Sequence, residues 1–205
     1  MSFQLWLGFL AAAVVVALSP GPGAVLSMST GLRHGYWRAL MAIAGLQTAL
    51  LLQLGLVAVG LGALLAASET LFLVVKLAGA GYLIFLGIRK WRSAAEPMGM
   101  SLAEAPPQGF YRQGILVNLG NPKAIVFIAA LVPQFIDPAA PSLPQFLVLG
   151  ATLCSVDVTV MSGYALLASR FRGLLGNPAA LSWQNRIFGG LFVGAGLALA
   201  GTSRS

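Results

Sequence analysis

The 205-residue sequence is 58% hydrophobic and only 8% charged, with a formal net charge of +7. A soluble domain carries roughly 25% charged residues, so a water-exposed surface is excluded and the bilayer becomes the solvent that suits this composition. At ~20 residues per crossing, six crossings use most of the chain and leave no room for a soluble catalytic domain.

Six apolar stretches follow one another, approximately 3–27, 39–64, 71–88, 113–135, 145–168 and 187–201. Within the first, Phe3 to Leu18 has the character of a signal-peptide core and Ala17-Leu18-Ser19 offers small residues after it. A secretory signal wants a basic n-region, and no Lys or Arg precedes Arg33. The segment is therefore read as a retained first membrane helix. It contains Ser19-Pro20-Gly21-Pro22. Two prolines remove two backbone donors and crowd the preceding turn, and the glycine permits non-helical angles. The helix is predicted to break here, and broken backbone at membrane depth is tolerated only against protein or a water-filled cavity. Such breaks build substrate sites in transporters.

The second stretch carries Gln47, Thr48 and Gln53. Gln47 and Gln53 do not share a helix face, so only one of them is expected to line a cavity. The third holds Lys76, placed near a membrane surface where it snorkels. A polar connection follows at 89–112, with Glu96, Pro97, Glu104, Pro106 and Pro107. It reads as a cytoplasmic linker between two halves of three crossings each, 1–88 and 113–205. Three is odd, so the second half enters in the opposite sense, the plan of an inverted repeat.

The fourth stretch contains Asn118-Leu119-Gly120-Asn121-Pro122-Lys123, and later Pro133-Gln134-Phe135. Two amides, a proline and a cation are expensive in hydrocarbon, Lys alone costing on the order of 2.5–3.5 kcal/mol at a helix centre. Under the inversion, Pro133 is expected to answer the break of the first helix. The fifth stretch holds Asp157, the one acid deep in an apolar run. Such a carboxylate faces the bundle interior and takes a partner; Lys123 is the expected one. Met161 and Tyr164 share its helix face. Burial and a cationic neighbour act on its proton affinity in opposite senses, which suits a proton relay; a static ion pair is the plainer alternative. Cys154 is the single cysteine and is read as a small hydrophobe. The sixth stretch holds the Gly190–Gly194 pair, expected to serve tight packing within the bundle, or else a homodimer contact.

The basic residues set the orientation. Arg33, Arg38, Arg89, Lys90, Arg92, Arg112, Arg170, Arg172 and Arg186 all fall in the first, third and fifth connections, against Arg204 alone on the other side. Those connections are expected in the cytoplasm and both termini outside. This placement also makes nucleic acid an improbable partner. One histidine and one cysteine provide neither a zinc site nor a Cys-His nucleophile, and no Walker-type loop is present. The chain is expected to be no enzyme and to carry no cofactor.

In order along the chain, Ser19-Pro20-Gly21-Pro22, Gly35 with Arg38-Ala39, Lys76 to Gly87, Gln113 to Lys123, Pro133-Gln134-Phe135, and Asp157 with Tyr164 resemble the pattern of the LysE/RhtB amino-acid exporters. Gly23-Ala24 departs from it, since a polar residue is expected there. The resemblance implies an all-α, multi-pass exporter of the bacterial inner membrane, moving amino acids or close derivatives by proton antiport. Its expected substrate contacts are Ser19, Pro20, Gly21, Pro22, Gln47, Asn118, Asn121, Pro122, Lys123 and Tyr164, with Asp157 as the proton-coupling group. Its partners are the amino acid, protons and the lipid bilayer. A single buried acid favours neutral or small polar cargo over a dicationic one. An ion or metal exporter on the same scaffold and an accessory membrane subunit are the alternatives.

Overall fold

The structure, a computed structural model, describes residues 1–67, 69–92, 109–137, 139–170 and 178–201. All regular elements among them are helical: α1 (Phe3–Leu18), α2 (Pro22–His34), α3 (Tyr36–Ala67), α4 (Glu69–Arg92), α5 (Phe110–Leu119), α6 (Pro122–Val126), α7 (Ser142–Arg170) and α8 (Pro178–Gly201). A π-helical segment, Phe127–Leu131, and a 3-10 turn, Val132–Phe135, continue α6. The helices overlay the six apolar stretches and mostly run beyond them. Much of the 89–112 linker lies outside the described residues, as do Arg172 and Arg204.

Local chemistry accounts for the boundaries. Ser2 caps α1 by accepting from the Leu5 N–H at 3.2 Å. Pro20 and Gly21 end it, and Pro22 opens α2 at the first helical position, where a missing N–H costs nothing. Gly35 closes α2 with φ of 85°, which glycine adopts without strain, so that α3 starts at the next residue. Asn121 caps α6 by accepting from the Lys123 N–H at 3.1 Å. Pro133 has no N–H to give to the turn before it. The helix accordingly loosens into the π segment and closes as the 3-10 turn.

α3 over Tyr36–Gly60 and α7 are each long and apolar enough to cross a bilayer. The pair α1 with α2 and the pair α5 with Pro122–Phe135 also qualify, each bent by 54°. This makes two to four candidate spans among the described residues. Their outer faces are apolar: Val59 is 82% and Leu56 74% exposed, as suits lipid contact.

The helices interleave. α2 packs on α7, α3 on α5, α3 on α7, and α4 on α8. Gly45 and Gly114 let α3 and α5 touch backbone to backbone: a Cβ on Gly45 would overlap the Tyr111 carbonyl, and one on Gly114 the Ala42 carbonyl. α4 and α8 meet similarly, since a Cβ on Gly87 would fall 2.6 Å from the Gly189 oxygen. This corrects the expectation for Gly190 and Gly194: the close contact uses Gly189, while Gly190 faces Trp91 and Gly194 has nothing within 4 Å.

Two apolar clusters stack along the bundle. One joins Phe9 with Leu54, Phe127, Phe146 and Leu149. The other joins Leu26 and Met28 with Ala39, Phe110 and Ala168. The second cluster gathers the helix ends that carry Arg33, Arg38, Arg112 and Arg170, so these cations share one end of the molecule.

Candidate functional site

The two breaks create the need for a site. A helix that stops inside a bundle leaves backbone groups without partners, and burying them unsatisfied is costly. At the end of α1, the Ser19 N–H reaches back to the Val15 and Val16 carbonyls, both at 3.2 Å. The Lys123 ammonium donates to the Val16 carbonyl at 2.9 Å and the Ser19 carbonyl at 2.7 Å. The Tyr164 hydroxyl donates to the Leu18 carbonyl at 2.6 Å. A cation thus sits on the negative end of the α1 dipole, a favourable placement. Gly21 leaves space for it: a Cβ there would stand 3.3 Å from the Lys123 Nζ.

The second break, at Gly120–Asn121, is held by α3. The Asn118 side-chain amide donates to the Leu46 carbonyl at 2.8 Å. Gln53 donates to the Asn118 carbonyl at 3.0 Å, and Asn121 donates to the Asn118 side-chain oxygen at 3.2 Å. Asn118 and Asn121 are buried. Their amides therefore brace the broken backbone as well as border the site. The two broken pairs share the same 54° bend. Asn118→Leu is expected to lower stability by about 1–3 kcal/mol, because it removes the bond from Asn118 to α3 at the Leu46 carbonyl and strands the buried Asn121 amide. A reduced thermal midpoint of the purified protein in detergent checks this.

Gln47 donates to a carboxylate oxygen of Asp157 at 2.6 Å, joining α3 to α7. The hydrogen-bond partner of Asp157 is this amide; Lys123, the expected partner, donates to the carbonyls of α1 and acts on the carboxylate through its charge. The amide oxygen of Gln47 is buried with no hydrogen-bond partner among the described residues, as is the Ser19 hydroxyl. Gln47 and Gln53 do point to different neighbours, α7 and α5.

Between the breaks lies a cavity of about 40 Å³ bordered by α1, α2, α3, α5, α6 and α7. Lys123 and Asp157 are its two charged lining residues, Asn118 and Asn121 its amides, and Met161 shares the Asp157 side. The remaining wall is apolar or small, with Phe127 and Leu46 in it. Ser19, Pro20, Gly21 and Pro22 shape the break but do not line the cavity, where Gly23 and Ala24 appear instead. Gln47, Pro122 and Tyr164 also stand behind the wall. The volume holds about three water positions, fewer than the heavy atoms of any amino acid.

The apolar lining carried no signal in the sequence, because Ala13, Val16 and Leu50 look like any other residues of a membrane stretch. The structural use of Gln53 was likewise hidden, since its partner is a backbone carbonyl 65 residues away.

Comparison with known proteins gives a consistent result. The model of the family described as LysE type translocator matches residues 14–203. The chain is 46% identical over 201 residues to the homoserine/homoserine lactone efflux protein of Salmonella typhimurium, covering 98% of both chains. It is 44% identical over 98% of both chains to an uncharacterized membrane protein of Vibrio cholerae. It is 31% identical to the leucine efflux protein of Klebsiella pneumoniae, covering 95% of this chain and 94% of that one. No solved structure matches it.

Proposed function

The chain belongs to the LysE type translocator family, and from that premise we propose that it exports small amino acids of the homoserine kind, by proton antiport across the bacterial inner membrane. The observation that carries this reading is the cavity between the two helix breaks, with one cation, Lys123, and one anion, Asp157, on its wall. That charge pattern complements a zwitterion: the carboxylate meets Lys123 and the ammonium meets Asp157. The names of the relatives, efflux proteins for homoserine with its lactone and for leucine, support neutral cargo.

Asp157 is the proton-coupling group in this proposal. Protonation from outside weakens its hold on the ammonium and releases the cargo. Gln47 supports the role, because it serves both states of the acid. Its N–H donates to the carboxylate, and its unpartnered oxygen can accept from the protonated form after the amide turns over. A proton falling through ~100 mV supplies about 2.3 kcal/mol, and one pH unit adds about 1.36 kcal/mol. One proton per zwitterion then sustains a gradient of roughly a few hundred-fold at ~1.4 kcal/mol per tenfold.

The proposal includes six crossings, with both termini outside and the two halves inverted. The equal bends at the two breaks support the inversion, as does the crosswise pairing of α2 with α7 and α3 with α5. α4 and α8, 24 residues each, reach about 36 Å at 1.5 Å per residue, enough for a ~30 Å hydrocarbon core. The gathering of Arg33, Arg38, Arg112 and Arg170 at one end supports a cytoplasmic face there.

The test is efflux from proteoliposomes loaded with a radiolabelled amino-acid panel, with and without an imposed proton gradient. Gradient-stimulated release of homoserine or another small neutral amino acid is expected. A folded protein that moves none of them, yet moves inorganic cations, overturns the proposal in favour of an ion exporter.

A further inference from the structure

We infer that Lys123 decides whether the cargo's carboxylate is read at all, so that one cavity serves both free amino acids and carboxylate-blocked ones, such as lactones and esters. This rests on the exporter reading above and deepens it. Lys123 has two neighbours in this structure, the end of α1 and the cavity. Its ammonium is held by the Val16 and Ser19 carbonyls, at 2.9 and 2.7 Å, while its side chain also borders the cavity. It is thus a cavity cation with a satisfied resting position. A cation that depended on the cargo for its pairing would be left desolvated by any cargo lacking a carboxylate, at a cost that excludes such cargo.

Two binding modes follow. A zwitterion draws the ammonium of Lys123 off the α1 carbonyls onto its own carboxylate and engages Asp157 through its amine. A lactone or ester brings only an ammonium. It engages Asp157 and leaves Lys123 capping α1. Gly21 keeps the path between these positions open, because any side chain there would crowd the ammonium. Leu46, Phe127 and Ile128 supply an apolar wall that accepts the ring or alkyl group of the blocked cargo without asking it for hydrogen bonds.

The experiment is export of radiolabelled homoserine and homoserine lactone by wild-type and Lys123→Gln protein in proteoliposomes, held at a pH where the lactone amine is largely protonated. Wild type is expected to move both. Lys123→Gln removes the α1 cap for both cargoes but is expected to lower homoserine export at least tenfold more than lactone export, since a charge-assisted bond to the carboxylate is worth roughly 1.5–3 kcal/mol at ~1.4 kcal/mol per tenfold. Residual lactone export also shows that the variant is folded. Equal loss of both cargoes, or loss of neither, overturns the role of Lys123 and leaves the exporter reading standing. Wild type that moves neither cargo overturns the exporter reading itself. Should Lys123→Gln prove too unstable to purify, Lys123→Arg keeps the α1 cap but changes the reach and shape of the cation. It is expected to raise KM for homoserine several-fold and leave that for the lactone unchanged; equal shifts overturn the inference.

Discussion

Asp157→Asn is expected to cut gradient-driven export about 30-fold or more. Removing one partner of a buried charge contact costs about 2–5 kcal/mol, at ~1.4 kcal/mol per tenfold, and the cargo's ammonium would lose its only anionic neighbour among the described lining residues. The protein should remain folded, because the introduced amide can donate to the Gln47 oxygen that now has no partner. Two assays on the same proteoliposomes separate the roles of this acid. Loss of gradient stimulation with retained cargo-for-cargo exchange assigns Asp157 to proton coupling. Loss of both assigns it to cargo binding first. Full gradient-driven export by the variant would remove Asp157 from the mechanism.

Gly114→Ala, with Gly45→Ala, is expected to be the most damaging glycine-to-alanine change among the described residues. The added methyl would overlap the Ala42 carbonyl, and Gly45→Ala would do the same at the Tyr111 carbonyl. Overpacking a core side chain costs about 1–3 kcal/mol. Here the obstacle is backbone on both sides, and the helices have to separate, so the cost should exceed that range. Size-exclusion profiles and thermal midpoints in detergent should show loss of the monodisperse species. Gly55→Ala and Gly194→Ala are the matched controls. Neither position has anything within 4 Å of the new methyl, and a shift within about 0.5 kcal/mol is expected.

Much of this molecule was legible before any coordinates. The break at Pro20–Pro22 follows from proline chemistry, which is local and does not depend on neighbours; at Asn118–Lys123 the sequence marked the costly polar groups but not the break itself. Asp157 and Lys123 stood out because charge is costly in hydrocarbon, and both line the cavity. What was not legible involves partners chosen by tertiary packing. Asp157 was matched to Lys123, which does act on it through its charge, but the group hydrogen-bonded to it is Gln47. Lys123 is held by main-chain carbonyls, and a sequence does not say which carbonyls a broken helix leaves open. Gly190 and Gly194 carry the expected spacing for a close contact, but spacing does not give the direction a helix faces, and the approach falls at Gly189. Pro133 marked a real disturbance, the π segment and 3-10 turn.

The crosswise packing of the helices has a consequence for how the protein is made. The end of α1 waits for Tyr164, 146 residues further on, and Gln47 waits 110 residues for Asp157. The amino-terminal half therefore leaves the ribosome with its broken helix uncapped and its glutamine unmatched. Contacts of such long sequence separation form late and slowly. During synthesis the nascent first half offers a membrane protease a bent, polar segment in the bilayer. That exposure ends as Lys123 on α6 and then Tyr164 and Asp157 on α7 arrive, so the rate of translating the second half should govern how much of the protein survives to fold.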